Sequence, residues 1–574
     1  MNPFTLLADG GVRQGEADLW CSYAAVRTLH WLGEKPARAG QVVDFLLSRQ
    51  NADGGFAWQR GLPSDVWATY YCTQSLGDLG HQVPHAGLLA DWLAQTRTRD
   101  GGFAMTPGQG ADIWAAYYAT RLYREVLRLP VPAVEELGGW LAAAQQPCGG
   151  LSWSPGGRGA DVRAGYYGAL AWRAAAGDAP VPWRAEALVE WLRDQQGPEG
   201  GFRFAPGSHP CAWAAFRAVR ALDALDAAPR EPDRLRGWLA ARRLPDGGYE
   251  RWAGYGSSDV WACFSVVGAY QTLGDRPEPA DRARIAELVR SCQLPDSGFT
   301  YTDPGRAGDS LATAAATVLT ALRPAPGPAV TGPLVRWLQQ AHLPYEDGVM
   351  YMPGRGAEVR CTLWAIEALG AVGERVDTRR IGRWVRGLQN ADGGFGYWLG
   401  RGSDLVSTVS AVEALAAAGL VPADRIDPAG ALRFLADCRA GDRFRPVPGA
   451  EPTLAATAQA ARVLALLGSA EEAAALGATL AAQAGPLGGF GPTSRGLPDL
   501  LTTYQVVLTQ SVLGLPVDLD GLRRFLAKVR VGSGFAWSPL SRLPAGLLAG
   551  CLGEQLAALA ASAAAPARLL RLNL

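Results

Sequence analysis

The chain has 574 residues, 48% of them apolar, and its 54 Lys and Arg balance 54 Asp and Glu to a formal net charge of zero. That length is enough for two to four domains, and so much apolar material excludes a mainly disordered chain. Zero net charge lacks the basic footprint a nucleic-acid partner needs; Lys35 and Lys528 are its lysines and no GxxxxGKS/T occurs, which excludes P-loop chemistry.

The chain opens Met1-Asn2-Pro3-Phe4-Thr5. This stretch has neither a basic start nor a long apolar run, so no signal peptide is expected. Nowhere do about 18 apolar residues run uninterrupted, so no transmembrane helix is expected. The nine cysteines are scattered without CxxC pairs and read as reduced, buried thiols of a cytoplasmic protein. Peripheral contact with a membrane stays open. His30, His81, His85, His209 and His342 form no HExxH and no Cys/His cluster at zinc spacing. Neither a metal nor a cofactor is therefore expected.

From residue 50 onward one unit repeats. Gln50-Asn51-Ala52-Asp53-Gly54-Gly55-Phe56-Ala57-Trp58 ends one helix and turns the chain, and Ser64-Asp65-Val66-Trp67-Ala68-Thr69-Tyr70-Tyr71 starts the next. Glycines reach backbone angles that a Cβ forbids, and Asp65 suits an N-cap because its carboxylate accepts from free first-turn N–H groups. The turn returns at Gly101-Gly102, Gly149-Gly150, Gly200-Gly201, Gly247-Gly248, Gly393-Gly394 and Gly488-Gly489, and in worn form between them. Helix starts keep step at Asp18, Asp65, Asp112, Asp161, Cys211, Asp259, Asp309, Glu358, Asp404, Thr453, Asp499 and Gly546. A period of about 48 residues marks stacked supersecondary units.

Each period reads as two helices. The one after the Asp is apolar on nearly all sides, as in Val260-Trp261-Ala262-Cys263-Phe264, and so belongs inside. The next is amphipathic and carries a recurring tryptophan, at Trp92, Trp140, Trp191, Trp238, Trp337 and Trp384, which suits an outer layer. Twelve inner starts imply an all-α fold of about 24 helices curled into two α/α toroids. Proline-rich joints lie at Pro229–Pro232, Pro277–Pro279 and Pro324–Pro328. The middle one sets the expected boundary: 36–279 as a first barrel inserted into a second made of 1–35 and 280–574. Inner helices carry aromatics in the first half and mostly small or aliphatic residues in the second.

Gln50…Asp53-Gly54…Trp58 and Gln389…Asp392-Gly393…Trp398 resemble the QW repeat of squalene–hopene cyclases and class II terpene cyclases, whose toroid protein prenyltransferase β subunits share. The resemblance spans residues 10 to 560 and implies two α/α barrels with an apolar cavity. It also implies a polyprenyl or similarly long apolar substrate and proton-initiated cyclisation. Class II cyclases place a DxDD acid motif at an inner-helix start of the second half. Here that position reads Asp309-Ser310-Leu311-Ala312, so only the first Asp matches. No DDxxD occurs, which removes support for magnesium-dependent ionisation. A prenyltransferase β-like subunit would need an Asp, a Cys and a His on zinc; Asp259 and Cys263 are one turn apart, with no histidine in a matching repeat.

The expected acid is Asp309, with Glu358 and Asp404 in reserve, since a carboxyl in an apolar cavity stays protonated. The competing reading of all three is plain N-capping. Trp67, Tyr70, Trp114, Tyr117, Trp261 and Trp364 are the expected cavity lining, because ring faces stabilise a cation; the competing reading is ordinary core. If the caps bind backbone amides and side chains plug the lumen, the alternative is a non-catalytic toroid that binds an apolar ligand or a partner protein.

Overall fold

The computed structural model describes residues 4–14, 17–58, 63–157, 159–295, 297–322, 328–343, 346–353, 355–493, 496–561 and 568–574. The chain divides into a first unit, Gly15–Pro304 with Gly400–Gly402, and a second, Met1–Gln14, Gly305–Leu399 and Ser403–Leu574. Among the described residues there are 23 α-helices.

The first unit alternates inner and outer helices. They are α1 (Leu19–Trp31), α2 (Ala39–Leu47), α3 (Val66–Asp78), α4 (Ala86–Ala94), α5 (Ile113–Arg121), α6 (Val134–Ala143), α7 (Val162–Ala176), α8 (Ala185–Arg193), α9 (Ala212–Ala224), α10 (Pro232–Ala240), α11 (Val260–Thr272) and α12 (Pro279–Ser291). The odd-numbered helices form the inner ring, closed where α11 packs on α1. They are buried on nearly every side; the outer ones bury a stripe, as Leu235, Trp238 and Leu239 do on α10.

The expected limits of 36 and 279 differ from those observed, Gly15 and Pro304. The reason is that α1 completes this ring against α11 and α12, and Asp18 pairs with Phe299 in an antiparallel bridge. The joint near 324 falls mostly outside the described residues.

The second unit repeats the scheme with α13 (Ser310–Ala321), α14 (Pro328–Gln340), α15 (Val359–Ala371), α16 (Ile381–Gly387), α17 (Leu405–Ala417), α18 (Pro428–Cys438), α19 (Leu454–Leu466), α20 (Ala470–Ala481), α21 (Leu500–Val512), α22 (Leu519–Val529) and α23 (Gly546–Ala561). Here α23 closes the ring on α13. Three turns of this unit widen into two-stranded antiparallel hairpins, such as His342–Leu343 with Gly348–Val349.

The glycine turn works by close approach. Gly200 has φ +101°, and a Cβ there would stand 2.4 Å from the Arg234 carbonyl oxygen. A Cβ on Gly201 would stand 2.5 Å from the Trp238 ring. The turn thus lies against the next outer helix, and a glutamine holds it: Gln196 Nε2 donates to the carbonyls of Gly200 (3.1 Å) and Glu231 (3.0 Å). Gln50, Gln145 and Gln389 make the same pair of bonds.

Inner-helix starts also touch from repeat to repeat. The first helical N–H of each of α3, α5, α7, α9 and α11 donates to a carbonyl in the following turn, as Ile113 does to Trp153 (2.9 Å). The N-caps of a ring therefore gather at one end of it.

Candidate functional site

At the capped end of the second unit, the three expected acids are engaged. Asp309 Oδ1 accepts from Ala312 N (2.8 Å) and Oδ2 from Gln14 N (3.0 Å). Asp404 Oδ1 accepts from Ser407 N (2.7 Å) and Oδ2 from Ser407 Oγ (2.9 Å). Glu358 makes no side-chain cap bond; its Oε1 takes both Nε and Nη2 of Arg360, at 3.1 and 3.0 Å.

A pocket of ≈ 390 Å³ lies at the other end of the same helices. Val318, Ala321 and Leu322 of the α13 end, Ile366, Gly370 and Ala371 of α15, and Ala417 of α17 form its apolar wall. From Asp309 to Ala321 is about 18 Å of helix at 1.5 Å per residue, so the expected acids and this pocket do not meet. Its polar groups are Glu367, Gln555 and Arg568. Glu367 is buried, and burial pushes its carboxyl above the usual value against the pull of Arg571 and Arg568.

Leu570 completes the pocket, because residues 568–574 run into the ring. Trp364, expected to face a substrate, instead donates its Nε1 to the Asn573 carbonyl at 2.8 Å. Beneath it Arg462 and Glu413, both fully buried, pair at 2.8 Å.

In the first unit the rings of the inner helices pack on one another. Trp20 stacks on Trp261 at 4.3 Å and Tyr23 on Tyr71 at 3.9 Å; Trp67 meets Trp114 at 4.6 Å, and Tyr70 meets Tyr118 at 5.3 Å. Tyr117 Oη bonds Tyr166 Oη at 3.0 Å. Burial raises the Tyr70 and Tyr117 phenols well above their usual value. All five expected lining residues of this unit are buried in this cluster. Arg217, itself buried, lies over Trp213 at 4.3 Å, and Arg121 over Tyr70 and Tyr117 at 4.9 and 5.0 Å.

Above the rings, two caps stand out. Asp112 Oδ1 accepts from Ala115 N at 2.7 Å, while Oδ2 has no hydrogen-bond partner among the described residues. Burial raises this carboxyl to about 7, against Arg401, which pulls it down. Asp259 is similar: Oδ1 caps α11, Oδ2 has no such partner, and burial raises it to about 6. Arg401 arrives on Gly400-Arg401-Gly402 and donates to Asp65 Oδ2 at 2.7 Å. A Cβ on Gly400 would collide with the Trp153 ring.

A sequence profile of the prenyltransferase alpha-alpha toroid domain matches residues 5–65, 61–252, 250–439, 347–493 and 429–559. The chain belongs to the prenyltransferase alpha-alpha toroid family. No curated protein sequence matches it. Among solved structures this toroid protein is similar to ent-copalyl diphosphate synthase from Streptomyces platensis, at 16% identity over 94% of this chain and 95% of that one, TM-score 0.43. It is also similar to Candida albicans protein geranylgeranyltransferase-I complexed with GGPP, at 12% identity over 47% and 91%, TM-score 0.37. The type II terpene cyclase MstE from Scytonema matches at 18% identity over 42% and 76%, TM-score 0.32. Such identities speak to the fold alone.

In this toroid-family chain no three His, Cys, Asp or Glu side chains among the described residues converge as a metal site would need. None of its described helices is long and apolar enough to cross a membrane. Sequence reasoning missed Asp112, Glu367, Arg401 and Arg462 as residues of interest. The first two look like ordinary helical or capping carboxyls until their burial is known. Arg401 bears one signal, a Gly on each side.

Proposed function

We propose that the protein binds a long apolar ligand of the isoprenoid class in the pocket of the second unit. The observation that carries this is the ≈ 390 Å³ space itself, walled by small aliphatic residues with a few polar groups converging on it. Family membership supports the ligand class, and the engaged oxygens of Asp309, Glu358 and Asp404 favour binding over proton donation. Calorimetric titration with farnesol and geranylgeraniol tests it. Wild type is expected to bind; Gly370→Phe and Ala321→Phe, which fill the pocket, are expected to weaken binding at least about tenfold. Unchanged affinity in both variants would remove the pocket from consideration.

A second reading, proton-initiated cyclisation of a polyprenyl substrate, is favoured by the unbonded oxygen of Asp112. A buried carboxyl raised to about 7, with one oxygen outside any hydrogen bond among the described residues, meets the requirement for an acid. Product analysis after incubation with geranylgeranyl diphosphate separates the readings. A cyclic product formed by wild type and lost in Asp112→Asn supports cyclisation, whereas no product from wild type supports binding alone.

A further inference from the structure

The lumen of the second unit is lined by polar groups that address a polypeptide. Tyr504 Oη donates to the Leu570 carbonyl (2.7 Å), Gln505 Nε2 to that of Leu572 (2.9 Å) and Trp364 Nε1 to that of Asn573 (2.8 Å). Gln555 Oε1 accepts from Leu570 N–H at 3.1 Å. The Asn573 side chain is read from both ends: Oδ1 accepts from Arg462 Nη2 (2.7 Å), and Nδ2 donates to Glu413 Oε2 (2.9 Å). Asn573 and Leu572 are fully buried.

Charge points the same way. The lumen walls carry Glu367 and Glu413 against Arg462, an excess of one carboxyl. The segment supplies cations to it: Arg571 at 3.5 Å from Glu367 and 3.8 Å from Glu413, and the more exposed Arg568 at 3.8 Å from Glu367. A ring that merely had to be filled would need no buried ion pair, because buried charged groups gain little over apolar side chains.

We propose that the lumen of the second unit is a peptide-binding site for a basic segment of the form Arg-x-Asn, tightly turned where Leu572 N–H donates to the Leu570 carbonyl (3.0 Å), with residues 568–574 as its occupant in cis. The main-chain contacts hold the segment, the two glutamates select arginine, and the Glu413–Arg462 pair selects asparagine. This does not depend on which ligand the neighbouring pocket takes.

Hydrogen–deuterium exchange on the full chain tests it. The amides of Leu570, bonded to Gln555, and Arg571, bonded to Glu367, are expected to exchange at least about 100-fold more slowly than in the free peptide Arg-Leu-Leu-Arg-Leu-Asn-Leu. Asn573→Ala and Arg571→Ala are expected to bring them close to the free rate while α15 and α19 stay protected. The labelled peptide added in trans is then expected to bind the Asn573→Ala chain, and its scrambled version to bind at least about tenfold more weakly. Free-peptide exchange in wild type, unchanged protection in both variants, or equal binding of the scrambled peptide would each overturn the proposal.

Discussion

Asp112 and Asp259 each use one oxygen to cap a helix and keep the other away from water and hydrogen bonds alike. A carboxylate held that way favours its protonated form, because burial penalises the charge more than the cap bond and the nearby guanidinium repay it. With Asp112 raised from 3.8 to about 7 and Asp259 to about 6, the folded state holds protons that the unfolded state has released. Their contribution to stability therefore falls as pH rises from about 4 to about 7 and levels off above that. Asparagine caps as well as aspartate and does not ionise. Asp112→Asn is thus expected to flatten this slope, with little change at pH 4 and a gain of at most about 4 kcal/mol at pH 8. Urea unfolding across that range measures it; a slope unchanged by the substitution would mean that Asp112 ionises normally. That these two caps differ from Asp65 or Asp404 was not legible in the sequence. Asp65 is satisfied by Arg401, 336 residues away, and no local pattern announces such a partner.

The repeat was legible element by element because its parts are local. An Asp or Thr before a helix and a Gly pair after one need only a few residues to do their work, and Asp18 through Asp499 stand at the starts of α1 through α21 as their spacing predicts. The glutamine is half local. Its bond to the glycine carbonyl spans four residues, but its second bond reaches 34 to 39 residues on, to the carbonyl that opens the next outer helix. The same distinction separates glycines. Gly200 and Gly207 both have positive φ, but a Cβ on Gly207 meets nothing within 4 Å, whereas one on Gly200 meets the backbone of α10. Gly207→Ala is expected to cost about 1–2 kcal/mol, the left-handed penalty alone. Gly200→Ala adds a steric overlap that backbone cannot relieve and is expected to cost about 2 kcal/mol more. Equal losses in chemical denaturation would show that the turn does not need its close approach.

Taken as a whole, the chain contains two rings of six inner helices whose centres obey different rules. The first is stapled by aromatic faces from its own helices, and the aromatic-rich first half of the sequence carried that distinction. The second is built of smaller residues and leaves room, which residues 568–574 and a pocket occupy. What enters that room was hidden, because Asn573 meets residues 160 and 209 positions earlier. The Glu413–Arg462 pair at its centre has no exposure to water. A buried pair gains little over an apolar filling but becomes expensive when halved, since the surviving charge has lost its compensation. Arg462→Met alone is therefore expected to cost about 3–5 kcal/mol. Adding Glu413→Leu removes the stranded carboxylate and should recover more than half of that loss, the remainder reflecting the bonds that Asn573, Gln505 and Thr509 then lack. A double-mutant cycle by denaturant unfolding reads this directly. If the double variant is as unstable as the two losses summed, the pair is not a unit, and the second ring is held by its helices in the same way as the first.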